Sequence, residues 1–373
     1  MYIIGHWYYK VRVEETRREL SYLRTMGTVT SEGNFNIYMK QPEEFEQGGS
    51  KYVCRLNKSL YGLKQSPRLW GEKLAQVLYG IGFVKTYSDA SLFMYDRDDI
   101  KVIVPVFVDD ITLASKSGET LDSFVVELQK HFKLRDLGPT SFLLGVAITR
   151  DRPNRKLYLS QKQYILNKLE EFNMADCKPV GTPILPGHRL LSEQSPKTRE
   201  ERAEMESIPY INAVGSLMYL ATMTRPDIAY AASVLACFNS NPGMVHWKAV
   251  KHVFRYLKGS ADLRLEYGCD PAIGKAMFNT YCDADHRGDR DRGKSTSGYM
   301  VKLGLGVVAW SSKLQPNVAL SQNLYRVWQQ GKRFAGCNSY WERLVMQHKH
   351  QQHYTLTTSQ QCLWQRIQNT MAE

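Results

Sequence analysis

Residues Lys101 to Ser117 read KVIVPVFVDDITLASKS, and the interpretation of this stretch decides the fold. An apolar, β-rich run ends at Phe107 and Val108, another starts at Ile111, and Asp109 and Asp110 stand between them. The pattern predicts a hairpin with the two aspartates at its tip. Carboxylates projecting from a rigid sheet edge suit divalent metal ions, which are hard and take oxygen ligands. Asp is equally at home in a solvated turn with no metal, so the rest of the chain has to separate the two readings.

Composition leans toward a polyanionic partner. The chain has 373 residues, enough for two or three compact domains, and a formal net charge of +12. Such a charge raises the local concentration of phosphates and speeds encounter with nucleic acid. The seven cysteines, Cys54, Cys177, Cys237, Cys269, Cys282, Cys337 and Cys362, include no CxxC pair. That argues for a reducing compartment and against a zinc knuckle or a disulfide frame. The opening MYIIGHWYYKVRVEETRREL has too short an apolar run for a signal peptide, and no segment is long enough to span a bilayer. The expectation is an intracellular protein, not secreted and with no membrane partner.

Outward from the hairpin, regular patterns begin at Ile37. Ser66 and Pro67 look like an N-cap and first helical position, and Trp70, Leu74, Val77, Leu78 and Ile81 repeat at helical spacing until Gly80 and Gly82. A second helix is expected near Leu121 to Phe132, strands at Ser141 to Arg150 and Lys156 to Ser160, and a helix from Gln161 to Phe172. The polar stretch from Gly181 to Pro209, with its charge run KTREERAE, is expected to be a mobile connection. Thr224, Arg225, Pro226 and Asp227 start a further helix, and another runs from Val245 to Leu257. On this last helix Lys248, Lys251, Arg255 and Lys258 share one face, which suits phosphate contact or an ordinary solvated surface. Three strands follow in KAMFNTYCDAD, SGYMVKLG and GVVAWSSK.

Several long strings carry a family resemblance: IYMKQPEEF, SLYGLKQSPRLW, FVDD, LGVAITRD, LSQKQYI, GSLMYLATMTRPDIAYA, HWKAVKHVFRYLKG and YCDADHRGDRDRGKSTSGY. In this order they resemble the reverse transcriptase and RNase H portion of a copia-type retrotransposon Pol polyprotein. The resemblance implies an α+β fold: a right-hand polymerase of palm, fingers and thumb, followed by an incomplete RNase H-like α/β domain. It implies fingers and palm over 37–180, thumb and connection helices over 181–265 and RNase H strands over 274–321, with 1–36 and 322–373 unmatched. The activity implied is RNA-directed DNA synthesis with degradation of the RNA strand. Asp109 and Asp110 match the palm aspartates, and Asp283 the first RNase H aspartate, each holding Mg²⁺. Gly62, Gln65, Ser66 and Pro67 match the wall beside the incoming nucleotide. Partners implied are an RNA/DNA template-primer, deoxynucleoside triphosphates and other Pol or Gag products, in a cytoplasmic particle or the nucleus.

The departures from that pattern bear on catalysis. The family's other palm aspartate lies in text like DVKTAFL upstream of IYM, and no such text exists here; Glu19 is the nearest acid to that place. Loss of that strand should leave its neighbour in the sheet unpaired. Phe107 replaces the usual Tyr, and Pro105 interrupts a strand that should be central. After Ser321 the family continues with text like TTEAEY, whereas this chain reads QNLYRVWQQGKRFAG. The expectation is a catalytically defective fragment. The alternatives are an active reverse transcriptase, a nucleic-acid-binding remnant, or a product with no stable fold. Asp283, Asp285, Asp289 and Asp291 do not form a calcium loop, because Arg287 and Lys294 stand where oxygen ligands are needed. His348, His350 and His353 belong to a polar tail and are read as solvated.

Overall fold

The computed structural model describes residues 7–13, 28–32, 37–41, 48, 52–56, 58–60, 62–87, 89–185, 187, 189–268, 278–285 and 287–316. Glu19, the 322–373 tail and its three histidines lie outside the described residues.

The aromatic and β-branched run WYYKVRV forms strand β1 (Trp7–Val13). Two short antiparallel ribbons follow. One pairs β2 (Thr28–Glu32) with a later strand, and the other joins β3 (Tyr38–Lys40) to β4 (Val53–Arg55). The partner of β2 is β5 (Lys58–Leu60). Helix α1 (Ser66–Ile81) ends at Gly82, whose φ of +105° lets its N–H reach the carbonyls of Leu78 and Tyr79. Strands β6 (Val84–Lys85), β7 (Leu92–Arg97), β8 (Ile100–Phe107) and β9 (Asp110–Ser115) then run as a meander. Helix α2 (Gly118–Gln129), capped by the Ser117 hydroxyl, leads to β10 (Leu134–Pro139). It starts three residues earlier than its apolar spacing alone suggests.

These strands make one six-stranded sheet in the order β10-β1-β9-β8-β7-β6. Strand β1 lies between β9 and β10 and is antiparallel to both, with Trp7 opposite Ser115 and Arg12 opposite Asp110. The expected gap beside the hairpin is therefore absent: β1 takes the place and pairs the otherwise open ladder of β9. Helices α1 and α2 supply Leu74, Leu78, Leu121, Val125 and Leu128 to a core with Phe83, Val102, Val104, Ile111 and Leu113. Each such side chain contributes about 1.5–3 kcal/mol on burial. Pro105 does not end β8. The ladder to β9 holds Ile103 to Ala114 and Val106 to Ile111 but skips the residues between, so the missing proline N–H falls where that ladder is open.

Past β10 come β11 (Phe142–Leu143), β12 (Val146–Asp151), β13 (Lys156–Ser160) and helix α3 (Lys162–Glu171). The connection expected to be mobile holds a one-turn 3₁₀ helix at Ser192–Gln194 and helix α4 (Arg199–Glu206). Thr198 Oγ1 accepts the Glu201 N–H at 3.2 Å, and the Glu201 carboxylate accepts the N–H groups of Lys197 and Thr198. This capping box turns a charge run into a helix, and those backbone donors hold the Glu201 carboxyl below its usual range. Helix α5 (Tyr210–Met223), a 3₁₀ turn at Pro226–Ile228, α6 (Ala229–Ala236) and α7 (Met244–Gly259) follow.

Strand β14 (Leu265–Tyr267) returns to pair with β13, completing the sheet β11-β12-β13-β14. A second core joins Ile165 and Leu169 of α3 to Val214, Leu217, Ile228, Leu235, Val253 and Phe254. Residue 180 thus falls inside one packed unit. The last sheet is an antiparallel meander of β15 (Phe278–Ala284), β16 (Thr296–Leu303) and β17 (Gly306–Leu314). Trp310 Nε1 donates to the Ala221 carbonyl at 2.6 Å, and Tyr267 Oη to that of Val307 at 2.8 Å, tying this meander to the helices and to β14. No helix among the described residues is long and apolar enough to cross a membrane.

Candidate active site

The hairpin forms where the sequence places it. Val108 and Asp109 make a two-residue turn closed by the pair Phe107 and Asp110, so Asp109 is at the tip and Asp110 begins β9. Val108 has φ of +53°, a conformation that its branched Cβ disfavours. Its side chain is 50% exposed and that of Phe107 55%, so apolar burial does little to hold the turn. Among the described residues, Trp70 reaches it from outside: its Nε1 donates to the Val108 carbonyl at 2.7 Å. This contact brings the strings SLYGLKQSPRLW and FVDD together in space.

The other residues expected beside the hairpin are arranged unequally. Gly62 is exposed with φ of +96°, so its backbone requires glycine although nothing crowds a side chain there. Gln65, not Ser66, is the N-cap of α1, and Pro67 is in the first turn. Ser66 is 6% exposed, and its hydroxyl is engaged by the Leu60 carbonyl and, at 2.5 Å, by the Ser59 hydroxyl. It therefore joins β5 to α1 and has no free face for a nucleotide. Gly62, Gln65 and Pro67 keep accessible surface.

Among the described residues the donor set does not fit a pair of divalent metals. The strand beside the hairpin reads WYYKVRV, without one acid, and the residue in register with Asp110 is Arg12. Among the described residues no group of three His, Cys, Asp or Glu is placed to hold a metal ion. Two adjacent carboxylates offer too few oxygens for two octahedral ions.

Asp283 sits near the end of β15, exposed, with Oδ1 accepting the Ala284 N–H at 2.8 Å. It shares a shallow cavity of about 440 Å³ with Asp285 and Asp227. The acids around it serve the fold. Asp285 accepts the Thr296 N–H, Asp289 pairs with Arg292, and Asp291 accepts both the N–H and the hydroxyl of Ser192 at 2.7 Å.

The basic face of α7 is partly covered by the chain that precedes it. Arg255 Nε donates to the Lys178 carbonyl at 2.8 Å, and the His252 ring is 3.0 Å from that of Thr182. Lys251 lies over the Trp247 ring, and Lys258 is half-buried. Only Lys248 of the four is fully exposed. Lys248, Lys251 and Arg255 line a cavity of about 840 Å³ together with Arg189, Arg290 and the apolar Phe238.

Two buried polar centres escaped the sequence reading. Arg225, 2% exposed, forks onto Asp227 through Nε and a terminal nitrogen at 2.9 and 2.6 Å, and donates to the Ser260 carbonyl and hydroxyl. Tyr256 Oη adds a bond to Asp227 at 2.8 Å. Burial alone would raise the Asp227 pKa, but the guanidinium and the phenol outweigh it and hold the carboxyl below its ordinary value. His246 is fully buried and stacks on Phe238. Its Nδ1 accepts the Gly243 N–H at 2.8 Å, so Nε2 carries the proton toward the Leu191 carbonyl at 3.2 Å. Burial lowers its pKa. The TRPD string held the signal for the first centre, since an Arg two residues before an Asp on an apolar background is a buried pair as readily as a helix start. Spacing gives no signal for the second.

Comparison with known proteins identifies the relatives of this chain. The family described as reverse transcriptase (RNA-dependent DNA polymerase) matches residues 21–186. The chain is 45% identical over 287 residues to the retrovirus-related Pol polyprotein from transposon TNT 1-94 of Nicotiana tabacum, covering 76% of this chain and 21% of that one. It is 38% identical to the corresponding polyprotein from transposon RE1 of Arabidopsis thaliana, over 79% of this chain and 19% of that one. A putative transposon Ty5-1 protein of Saccharomyces cerevisiae is 32% identical, over 74% of this chain and 87% of its own length. The chain thus spans about a fifth of the Pol polyproteins it matches.

Proposed function

Since this chain belongs to the copia-type retrotransposon Pol family, we propose that it is the reverse transcriptase segment of such a polyprotein, with the first strands of the RNase H segment, in a form that holds nucleic acid without copying it. In this reading the six-stranded sheet is the palm, the β2–β5 and β3–β4 ribbons belong to the fingers, and α5 to α7 serve as thumb and connection. The β15–β17 meander is the opening half of an RNase H-like domain. One observation carries the proposal: the FVDD hairpin is formed and held, yet the strand paired with it has no acid and sets Arg12 in register with Asp110.

The substrate class is an RNA/DNA template-primer with deoxynucleoside triphosphates, the latter against Gly62, Gln65 and Pro67. Mg²⁺ is the family's cofactor, and the donor set among the described residues is short of what two such ions need. Association with other Pol or Gag products, in a cytoplasmic particle or the nucleus, belongs to the same proposal. The +12 charge supports binding through phosphates, and Lys248 is the member of the basic face most open to them.

Equilibrium binding of an RNA–DNA hybrid across a salt series tests the proposal. Affinity should fall steeply with salt, be indifferent to base sequence, and weaken uniformly in Lys248→Glu. Salt-insensitive affinity would overturn the phosphate account. Lys251→Glu with Arg255→Glu should weaken binding too, but Arg255 also secures Lys178, so Lys248 is the cleaner probe.

A further inference from the structure

The peptide joining Val108 to Asp109 is the central peptide of the hairpin turn, and its carbonyl is the group Trp70 grips. Two-residue hairpin turns exist in two forms that differ by a flip of this peptide. In one, both central residues have positive φ; in the other only the first does, and glycine is preferred there. Val108 is positive at +53° and Asp109 is not, so the turn is of the second form with a valine where glycine belongs. Left to itself, a β-branched residue in that position strains the turn.

The indole is held at both ends. Helix α1 carries Trp70 one turn beyond its start, and its ring meets the edge of buried Phe132 at a centroid distance of 5.3 Å. Its N–H then bonds the turn at 2.7 Å. We propose that Trp70 is a positioning residue: by fixing the Val108–Asp109 peptide in one of its two flips, it sets the direction in which the Asp109 carboxylate leaves the hairpin. A flip would rotate that peptide plane and drive Asp109 toward positive φ. The helix that opens with SLYGLKQSP thereby aims the acids of FVDD, which spacing along the chain could not show.

The proposal deepens the reading of Asp109 as a site carboxylate and rests on it. Its test is read without substrate, and so stands apart from any result on copying. Full-length protein labelled with [¹⁵N]Val and [¹⁵N]Asp would be compared with Trp70→Phe, which keeps an aromatic ring against Phe132 but loses the donor. Residual dipolar couplings report the direction of the Asp109 N–H. In Trp70→Phe that coupling should change while those of Val104 and Asp122 stay, and the Asp109 amide should exchange at least about 10-fold faster. Val108→Gly, which gives the turn the residue this form prefers, should restore the Asp109 coupling in the Trp70→Phe background. An unchanged Asp109 coupling in Trp70→Phe would overturn the proposal. So would equal disturbance of all labelled amides, which marks a merely structural tryptophan, and so would failure of Val108→Gly to restore the coupling.

Discussion

Asp109 and Asp227 both stand at chain reversals, and their surroundings are opposite. Asp227 is clamped by Arg225 and Tyr256 against the end of α7, with its charge matched by a guanidinium that is almost wholly buried. Asp109 stands at the tip of a turn with exposed apolar neighbours, and among the described residues the turn is gripped through the Val108 carbonyl. The first carboxylate is used by the fold; the second has no such clamp among the described residues. A buried aspartate with a full set of partners is poor ground for a functional claim, whereas one at a strained, externally braced turn is good ground.

The largest test of this contrast is stability. Asp227→Ala should cost about 3–5 kcal/mol, because it strands a buried guanidinium. Asp109→Ala should change stability by less than about 0.5 kcal/mol. Urea unfolding midpoints for the two variants would measure both, and a similar loss at each would erase the distinction.

Acid sharpens it next. A histidine with a lowered folded pKa contributes stability that is present above its ordinary value of 6.5 and lost as pH falls through the folded value. Acidification from neutrality should therefore first remove the bond that His246 Nδ1 accepts from the Gly243 N–H, while Nε2 keeps its proton toward the Leu191 carbonyl. Asp227 follows: its contribution is full above 3.8 and is lost only below that, as pH falls through its depressed value. Unfolding midpoints against pH should show both losses, with the earlier one removed in His246→Phe and the later one removed in Asp227→Ala. A loss smaller than at Asp227 is expected at the meander. Trp310→Phe loses the bond to the Ala221 carbonyl, which should cost about 1 kcal/mol and speed amide exchange in β15–β17 more than in the hairpin sheet.

The hairpin, the helix bearing Trp70, the strands about residue 150 and the three-stranded meander were all legible in the sequence, because alternation and helical spacing are local. The N-terminal strand was not. Nothing in WYYKVRV says that it will lie between β9 and a strand more than a hundred residues later. The α4 capping box was present as Thr198 and Glu201 but hidden in a charge run that reads as disorder. In the site, the identities of the acids were plain and their company was not. The commitment of Ser66 to Leu60, the cover over Arg255 and the reach of Trp70 to Val108 are long-range contacts, which chain spacing does not encode.

A formed hairpin without its neighbouring acid should bind a template-primer but not copy it. Primer extension on an RNA template, in Mg²⁺ and in Mn²⁺, beside an Asp109→Asn control tests it most directly. Extension no greater than in the control, from protein that still binds the template-primer, is the predicted result. Extension that disappears in Asp109→Asn would contradict it and point to Glu14 and Glu15, the acids that follow β1 in the sequence, as the missing carboxylates.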